Sequence, residues 1–408
     1  MQAPPCHGYR YTEFGNLNEI LTFAAKIPGH PNVPLDFLLP RRKGQISCGN
    51  ERNRYPAARV TSENGDRGIA GPAPSPSPAV SEALSRAVFA IIGYGNQGRA
   101  HALNLRESGA HVIVGARAGG AAEARATEDG FQVQPIDRTA AGADLCILSL
   151  PDEAHAGVWQ GPLKSALKPG ATVGFLHGFS VHFGAVRPDA SIGVVLVAPK
   201  GPGHTVRVRY TQGLGVPALF AMHQPGRDAS RTRTLGLAWA HGIGSARAAI
   251  VETTFAAETE TDLFGEQAVL CGGVMALAQE AYRALVEAGY PPALAYMECC
   301  QELKQVVDLM FERGLTGMRA AISNTAEFGA FVAQERLVDD AVRARMRGLL
   351  ADIRSGDFAR RFQADAAAGF PWLGAQRARA EHDPIEAAGS EVRRWMPWLD
   401  PSRGANDA

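Results

Sequence analysis

Asp262 and Glu266 in DLFGEQAVLCGG, and Glu298 and Glu302 in ECCQELK, make two pairs of acids at i,i+4 spacing. Both stretches are apolar, proline-free and rich in good helix formers, so each pair falls on one helix face. Four carboxylates from two facing helices supply the oxygen ligands that a pair of Mg²⁺ ions takes. A solvated acidic face is the plainer alternative. It fits poorly with AVLCGGVMALAQEA after Glu266, a run too apolar for open water. Buried acids with no cation nearby would be costly. A metal site held by Asp262, Glu266, Glu298 and Glu302 is the expectation.

A second chemistry lies upstream. Gly93-Tyr94-Gly95-Asn96-Gln97-Gly98 is a GxGxxG between an apolar run, VFAII, and a helical pattern, RAHALNLRES. In that setting the glycine turn places a dinucleotide pyrophosphate on a helix N-terminus. The next apolar run, HVIVGA, ends at Arg117, where an NAD site usually shows an acid for the ribose hydroxyls. An arginine there favours a 2′-phosphate, hence NADP(H). LPDE sets Asp152 beside the same crevice. HGFSVHFG and VAPKGPGH follow further apolar runs and offer His177 and Lys200, the latter suited to move charge or protons toward a ligand. Gly201 and Gly203 would let backbone approach the cofactor closely. Ser323, in SNTAEFG, sits in a polar break between helices and reads singly as a cap. His101, His155, His223 and His241 lack comparable context and read as structural.

The elements that must position these groups fall into two blocks. Between residues 84 and 253, the runs VFAII, HVIVGA, LCILSL, TVGFL and IGVVLVA alternate with helical patterns. Their continuous apolarity predicts strands covered on both faces, hence an α/β, Rossmann-type, doubly wound parallel sheet. Residues 254–400 read as almost wholly helical and carry the acids. Residues 1–83 contain APP, RRKGQ and GPAPSPSP and read as an irregular extension ending in a Pro/Ser linker. Its acids argue against a transit peptide, and it has no apolar core of a secretory signal. Deleting residues 2 to about 80 is expected to change activity and melting temperature little.

Composition excludes other classes. The 408 residues, 46% hydrophobic, suffice for two folded domains. A formal net charge of zero gives no field to recruit nucleic acid or an anionic membrane. The longest apolar stretches, such as VFAIIG and IGVVLVAP, look too short to span a bilayer. Six cysteines without a CxxC pair suit a reducing cytoplasm, with Cys299 and Cys300 packing as small hydrophobes.

Taken in order, GYGNQGRAHALNL, LPDE, HGFSVHFG, VAPKGPGH, ETTFAAETETDLFGEQAVLCGG, ECCQELK and ISNTAEFG resemble ketol-acid reductoisomerases of the short bacterial class, over roughly residues 84 to 400. The ending EHDPIEAAGSEVRRWMPWL is similar too. The glycine loop is common to many dehydrogenases, whereas ETETDLFGEQAVLCGG is close to diagnostic. The resemblance implies Mg²⁺-dependent alkyl migration of 2-acetolactate or 2-aceto-2-hydroxybutyrate, then NADPH reduction to the 2,3-dihydroxy acid, in valine and isoleucine biosynthesis. It implies two Mg²⁺ on the four acids, His177 and Lys200 at the reacting centre, and Ser323 on the substrate carboxylate. It also implies a knotted helical domain and a homodimer or higher oligomer, with acids from two subunits meeting in one site.

Departures are confined to the cofactor half. After Arg117 the family usually carries serine and lysine, where this chain reads Ala118-Gly119-Gly120-Ala121-Ala122. Asn96 and Arg99 replace a common serine and histidine, and no strand is recognisable in SPSPAVSEALSRA. Two other readings stay open here: an NADP-dependent hydroxy acid dehydrogenase without the isomerase step, and a non-catalytic paralogue with a binding role.

Overall fold

The structure, a computed structural model, describes residues 75–399; the expectations for the extension before residue 75, with Cys6 and Cys48, lie outside them. The first described element is α1 (Pro78–Arg86), which begins inside the stretch expected to stay irregular to residue 83. Ser77 caps it, its hydroxyl accepting the Val80 N–H at 3.3 Å, and proline at the first helical position suits the start. Val80 is buried, and Leu84 packs beside Gly242. Truncation through residue 80 therefore removes a cap and a core side chain, at a cost of about 2–4 kcal/mol. Calorimetry should show a lower Tm for a chain lacking residues 2–80 than for one lacking 2–74; equal values would mean that α1 adds nothing.

Strands and helices then alternate as β1 (Val88–Ile92), α2 (Asn96–Glu107), β2 (His111–Gly115), α3 (Ala121–Glu128), β3 (Val133–Gln134), α4 (Ile136–Gly142), β4 (Leu145–Leu148) and α5 (Asp152–Val158). They continue as β5 (Thr172–Phe175), α6 (Phe179–His182), β6 (Gly193–Pro199), α7 (Gly203–Thr211), β7 (Ala218–Pro225), α8 (Ala229–Gly242) and β8 (Ile250–Glu252). The strands form one eight-stranded sheet in the order β3-β2-β1-β4-β5-β6-β7-β8. Successive residues of β1 divide between two cores: Phe89 and Ile91 join Val195, Phe220 and Trp239, while Ala90 and Ile92 join Leu196, Phe175 and Trp159. That two-sided burial is what the unbroken apolar runs predict.

The sheet is not wholly parallel. β7 runs antiparallel to β6, and β8 runs parallel to β7. The sequence pattern concealed both, because β7 (ALFAMHQP) is exposed over its second half and β8 is only three residues long.

The remaining chain is helical: α9 (Phe255–Gly265), α10 (Gly273–Glu287), α11 (Pro292–Tyr296), α12 (Leu303–Arg319), α13 (Asn324–Leu337), α14 (Asp340–Arg354), α15 (Asp357–Ala367), α16 (Pro371–Glu381) and α17 (Pro384–Arg394). Wider π turns at Glu266–Leu270 and Met297–Gln301 interrupt it. Ile385 and Ala388 of α17 pack on Tyr282 and Ala295, with Cys299 and Cys300 against the same cluster. The run Phe255–Glu287 is 33 residues of near-continuous helix, long and apolar enough to cross a bilayer by length and composition. Glu258, Glu260, Asp262 and Glu266 interrupt its apolar character, and one helix of this length and composition is weak evidence of a span. Much of its apolar surface is open, Leu270, Met275 and Leu277 among it, as are Phe311 and Phe328 further on.

Candidate active site

The carboxyl ends of β5 and β6 bring His177 and Lys200 to one edge of the sheet, and α9 delivers two acids to them. Thr254 caps α9 by accepting the Ala257 N–H at 3.0 Å. Glu258, one turn in, is 1% exposed. Its carboxylate accepts the Gly178 N–H at 2.8 Å, approaches His177 Nδ1 at 3.2 Å and lies 3.5 Å from Lys200 Nζ. Asp262, four residues on, accepts from Lys200 Nζ at 2.8 Å and stands 3.5 Å from His177 Nδ1. Gly178 is needed where α9 presses on the His177 segment: a Cβ there would lie 2.4 Å from Thr259 Oγ1.

Charge follows from this geometry. Burial alone would hold the His177 pKa down, but the bond to Glu258 and the charges of Glu258, Asp152 and Asp262 raise it to about 9. Asp152 is raised as well, which for a carboxylate favours the neutral form. Burial pushes it up to about 6, helped by Glu153, Glu258 and Glu266 and opposed by His177. Glu266 is also raised, by desolvation and then by the like charge of Asp262. Asp152 thus faces the acid cluster.

Ligand atoms of His177, Glu258 and Asp262 lie within 4.8 Å of one another, the one such grouping of three among the described residues. Glu298 and Glu302 are not part of it. Both are exposed, on the π turn after α11 and just beyond it, so one chain does not bring the four expected acids together. Each acid pair meets a π turn rather than regular helix: the N–H groups of Cys271 and Gly272 both reach the Glu266 carbonyl. π turns of this kind collect at functional sites. Ser323 is exposed and caps α13, accepting the Ala326 N–H at 3.2 Å.

Glu258 was missed in the sequence, although ETETDLFGE places Glu258, Asp262 and Glu266 in one i,i+4 series. Glu260, between them, faces away, toward His182 at 3.6 Å and Arg354 at 3.4 Å.

The glycine turn runs from β1 into α2, with Gly95 at the helix start. Tyr94 does not point at the crevice. Its ring is buried, edge-on to Phe131, and its hydroxyl donates to Asp129 at 2.8 Å; Arg99 binds the same carboxylate. Only the backbone of Tyr94 is left for a cofactor. Gly203 likewise approaches protein: a Cβ there would meet the Asn96 carbonyl at 2.3 Å, and Gln97 Nε2 donates to Gly201 O at 2.9 Å. The PKGPG turn is thus docked on the glycine turn. Arg117 is exposed after β2 and lines a cleft of about 320 Å³ together with Glu123 and Gln134. Glu123 accepts the Gly119 N–H at 2.5 Å, an acid in the cofactor loop that the sequence reading overlooked.

A mostly parallel sheet, a glycine turn opening a helix and a charged cluster at the carboxyl edge define a nicotinamide-dinucleotide oxidoreductase with a helical second domain. Residues 83–249 match acetohydroxy acid isomeroreductase, NADPH-binding domain, and residues 255–398 match ketol-acid reductoisomerase, C-terminal domain. The chain belongs to the ketol-acid reductoisomerase family and is an NADP-dependent oxidoreductase. It is 48% identical over 310 residues to the ketol-acid reductoisomerase (NADP(+)) of Sulfurimonas denitrificans, covering 76% of this chain and 91% of that one. A solved NADH-preferring ketol-acid reductoisomerase from an uncultured archean superposes with a TM-score of 0.74 at 37% identity, over 77% of this chain and 96% of that one. A putative oxidoreductase from Jannaschia sp. CCS1 shares the fold alone, at 16% identity and a TM-score of 0.51 over 66% of this chain and 97% of that one. The match through residues 255–398 sets aside a plain dehydrogenase.

Proposed function

We propose that the chain rearranges 2-acetolactate and 2-aceto-2-hydroxybutyrate with Mg²⁺ and reduces the product with NADPH. The observation that carries this is the convergence of His177, Glu258, Asp262 and Lys200 beside the glycine turn. The donor set suits hard cations: carboxylate oxygens predominate, and the Lys200 ammonium already lies on Asp262 as a positive charge would. Asp262 and Glu266, with Glu298 and Glu302, would hold two Mg²⁺. When bound, the metals polarise the substrate ketone and offset negative charge on its oxygens. NADPH supplies the hydride from a site that includes Gly93, Gly95, Asn96, Gln97, Gly98, Arg117 and Asp152.

The chain's own groups then orient and move protons. Glu258 holds His177 and Lys200 at the sheet edge through Oε1, while its Oε2 accepts the Gly178 N–H. In the migration the substrate hydroxyl loses its proton, the alkyl group moves with its electron pair to the neighbouring carbonyl carbon, and that carbonyl oxygen gains a proton. Lys200 and His177 are placed to exchange these protons. In the reduction they return one to the new alkoxide. A test is substrate-dependent NADPH oxidation with and without Mg²⁺; undiminished turnover in its absence would sink the reading.

We also propose a homodimer in the cytoplasm with sites shared between subunits. The exposure of Glu298, Glu302 and Ser323, and the open apolar surface around Leu270 and Phe311, support it. Asp262→Asn and Glu298→Gln chains, each inactive alone, should on subunit exchange regain about a quarter of the parent activity. That is the statistical share of sites drawing a wild-type acid from each subunit. No recovery in mixed dimers verified by native mass spectrometry would place both acid pairs in one chain.

A further inference from the structure

We infer that His155 is a positioning residue that fastens the Leu150–Asp152 loop after β4 to the segment after β5 that carries His177. The ring is 3% exposed and bonded at both ends, with Nε2 3.0 Å from the Leu150 carbonyl and Nδ1 2.8 Å from Ser180 Oγ. A carbonyl only accepts, so Nε2 carries the proton; Nδ1 then accepts from the Ser180 hydroxyl. Burial holds the ring's pKa down to about 4, which keeps this neutral form through the neutral range.

What the two bonds join gives them a role beyond packing. Ser180 is fully buried on α6, just past His177 and Gly178, the residues that meet Glu258. Leu150 presses on the glycine turn: a Cβ at Gly93 would lie 2.7 Å from Leu150 Cδ2. Ser149 Oγ donates to the Gly93 carbonyl at 2.7 Å from the same loop. Asp152, one turn before His155, has a carboxylate 3.7 Å from the ring. His155 also packs edge-on against Phe175, with centroids 5.9 Å apart. One side chain therefore ties the cofactor turn, the Asp152 loop and the His177 segment into a single unit. Without it the Leu150 carbonyl and the Ser180 hydroxyl lose their partners, and the loops can settle separately.

The inference rests on the reading of His177's segment as part of the active site, so cofactor binding is measured apart from turnover. NADPH is titrated calorimetrically into full-length His155→Leu, His155→Gln and Ser180→Ala proteins well below their melting temperatures, and turnover of 2-acetolactate is measured in parallel. His155→Leu should weaken NADPH binding about tenfold and lower kcat about tenfold, the factor that one lost hydrogen bond makes. His155→Gln, with one donor and one acceptor of similar reach, should recover most of both. Ser180→Ala releases only the α6 end and should lower kcat with NADPH affinity kept within about twofold. Parent-like binding and turnover in His155→Leu would overturn the inference, and so would His155→Gln as damaged as His155→Leu. If His155→Leu yields no folded protein, Ser180→Ala decides, and an unchanged kcat overturns the inference. Loss of NADPH binding in His155→Leu would stand even if His177 proved dispensable, which separates the two readings.

Discussion

Asp262→Asn should turn over 2-acetolactate at no more than about a thousandth of the parent rate. Neutralising one metal-facing carboxylate removes several kcal/mol of electrostatic stabilisation, and about 4 kcal/mol is a thousandfold in rate. The fold should survive, because Asp262 is an intermediate, solvent-reached residue, while the buried Glu258 keeps its bonds to Gly178 and His177. Lys200 loses the charge of its 2.8 Å partner and keeps an ionised neighbour only in Glu258, at 3.5 Å. Mg²⁺ titration of the variant should show weakened binding alongside the lost turnover. An Asp262→Asn enzyme that processes acetolactate normally would sink the two-metal assignment.

Arg117→Ala should raise the KM for NADPH by roughly 10- to 150-fold, the effect of one charge-assisted hydrogen bond worth about 1.5–3 kcal/mol. The KM for NADH should change far less, since only NADPH carries the 2′-phosphate. No hydroxyl remains in Ala118–Ala122 to share that phosphate, and Glu123 brings a carboxylate to the same cleft as Arg117. The parent should therefore prefer NADPH while showing measurable NADH activity. Equal changes for both cofactors in Arg117→Ala would mean that Arg117 merely supports the loop. A parent preference for NADH would overturn the assignment outright.

The side chains that converge were legible where their type is rare at their location. Lys200 after an apolar strand and Asp262 inside an apolar helix stand out, and they meet at 2.8 Å. Glu258 was legible only through its i,i+4 spacing to Asp262, which sets it apart from Glu260 but does not say that it is buried. Tyr94 misled in the other direction. Membership of the glycine motif pointed it at a cofactor, whereas Asp129 and Phe131, far off in sequence, hold its ring in the core. The two π turns escape sequence reading altogether, since residues of ordinary helix propensity fill them. Distant pairing also decides β7, whose exposed half breaks the pattern by which the inner strands were read. His155 looked structural because Ser180 and Leu150 give it meaning only once two loops are side by side.

β8 acts as a ruler. Running with β7 and against β6, it carries the chain away from the carboxyl edge for only three residues before α9 turns back toward that edge. Phe255 marks the turning point, between the rings of Phe175 and His223. From there the helix climbs at 1.5 Å per residue, so Asp262 stands roughly 10 Å above Phe255. Two residues added to β8 would lower its end by about 6.6 Å, more than one helical turn. Glu258 would then miss His177 and Lys200, and Asp262 would come down near the level Glu258 now holds. Engineered insertions or spliced domains therefore belong in connections such as residues 187–192 rather than at the junction of sheet and helix.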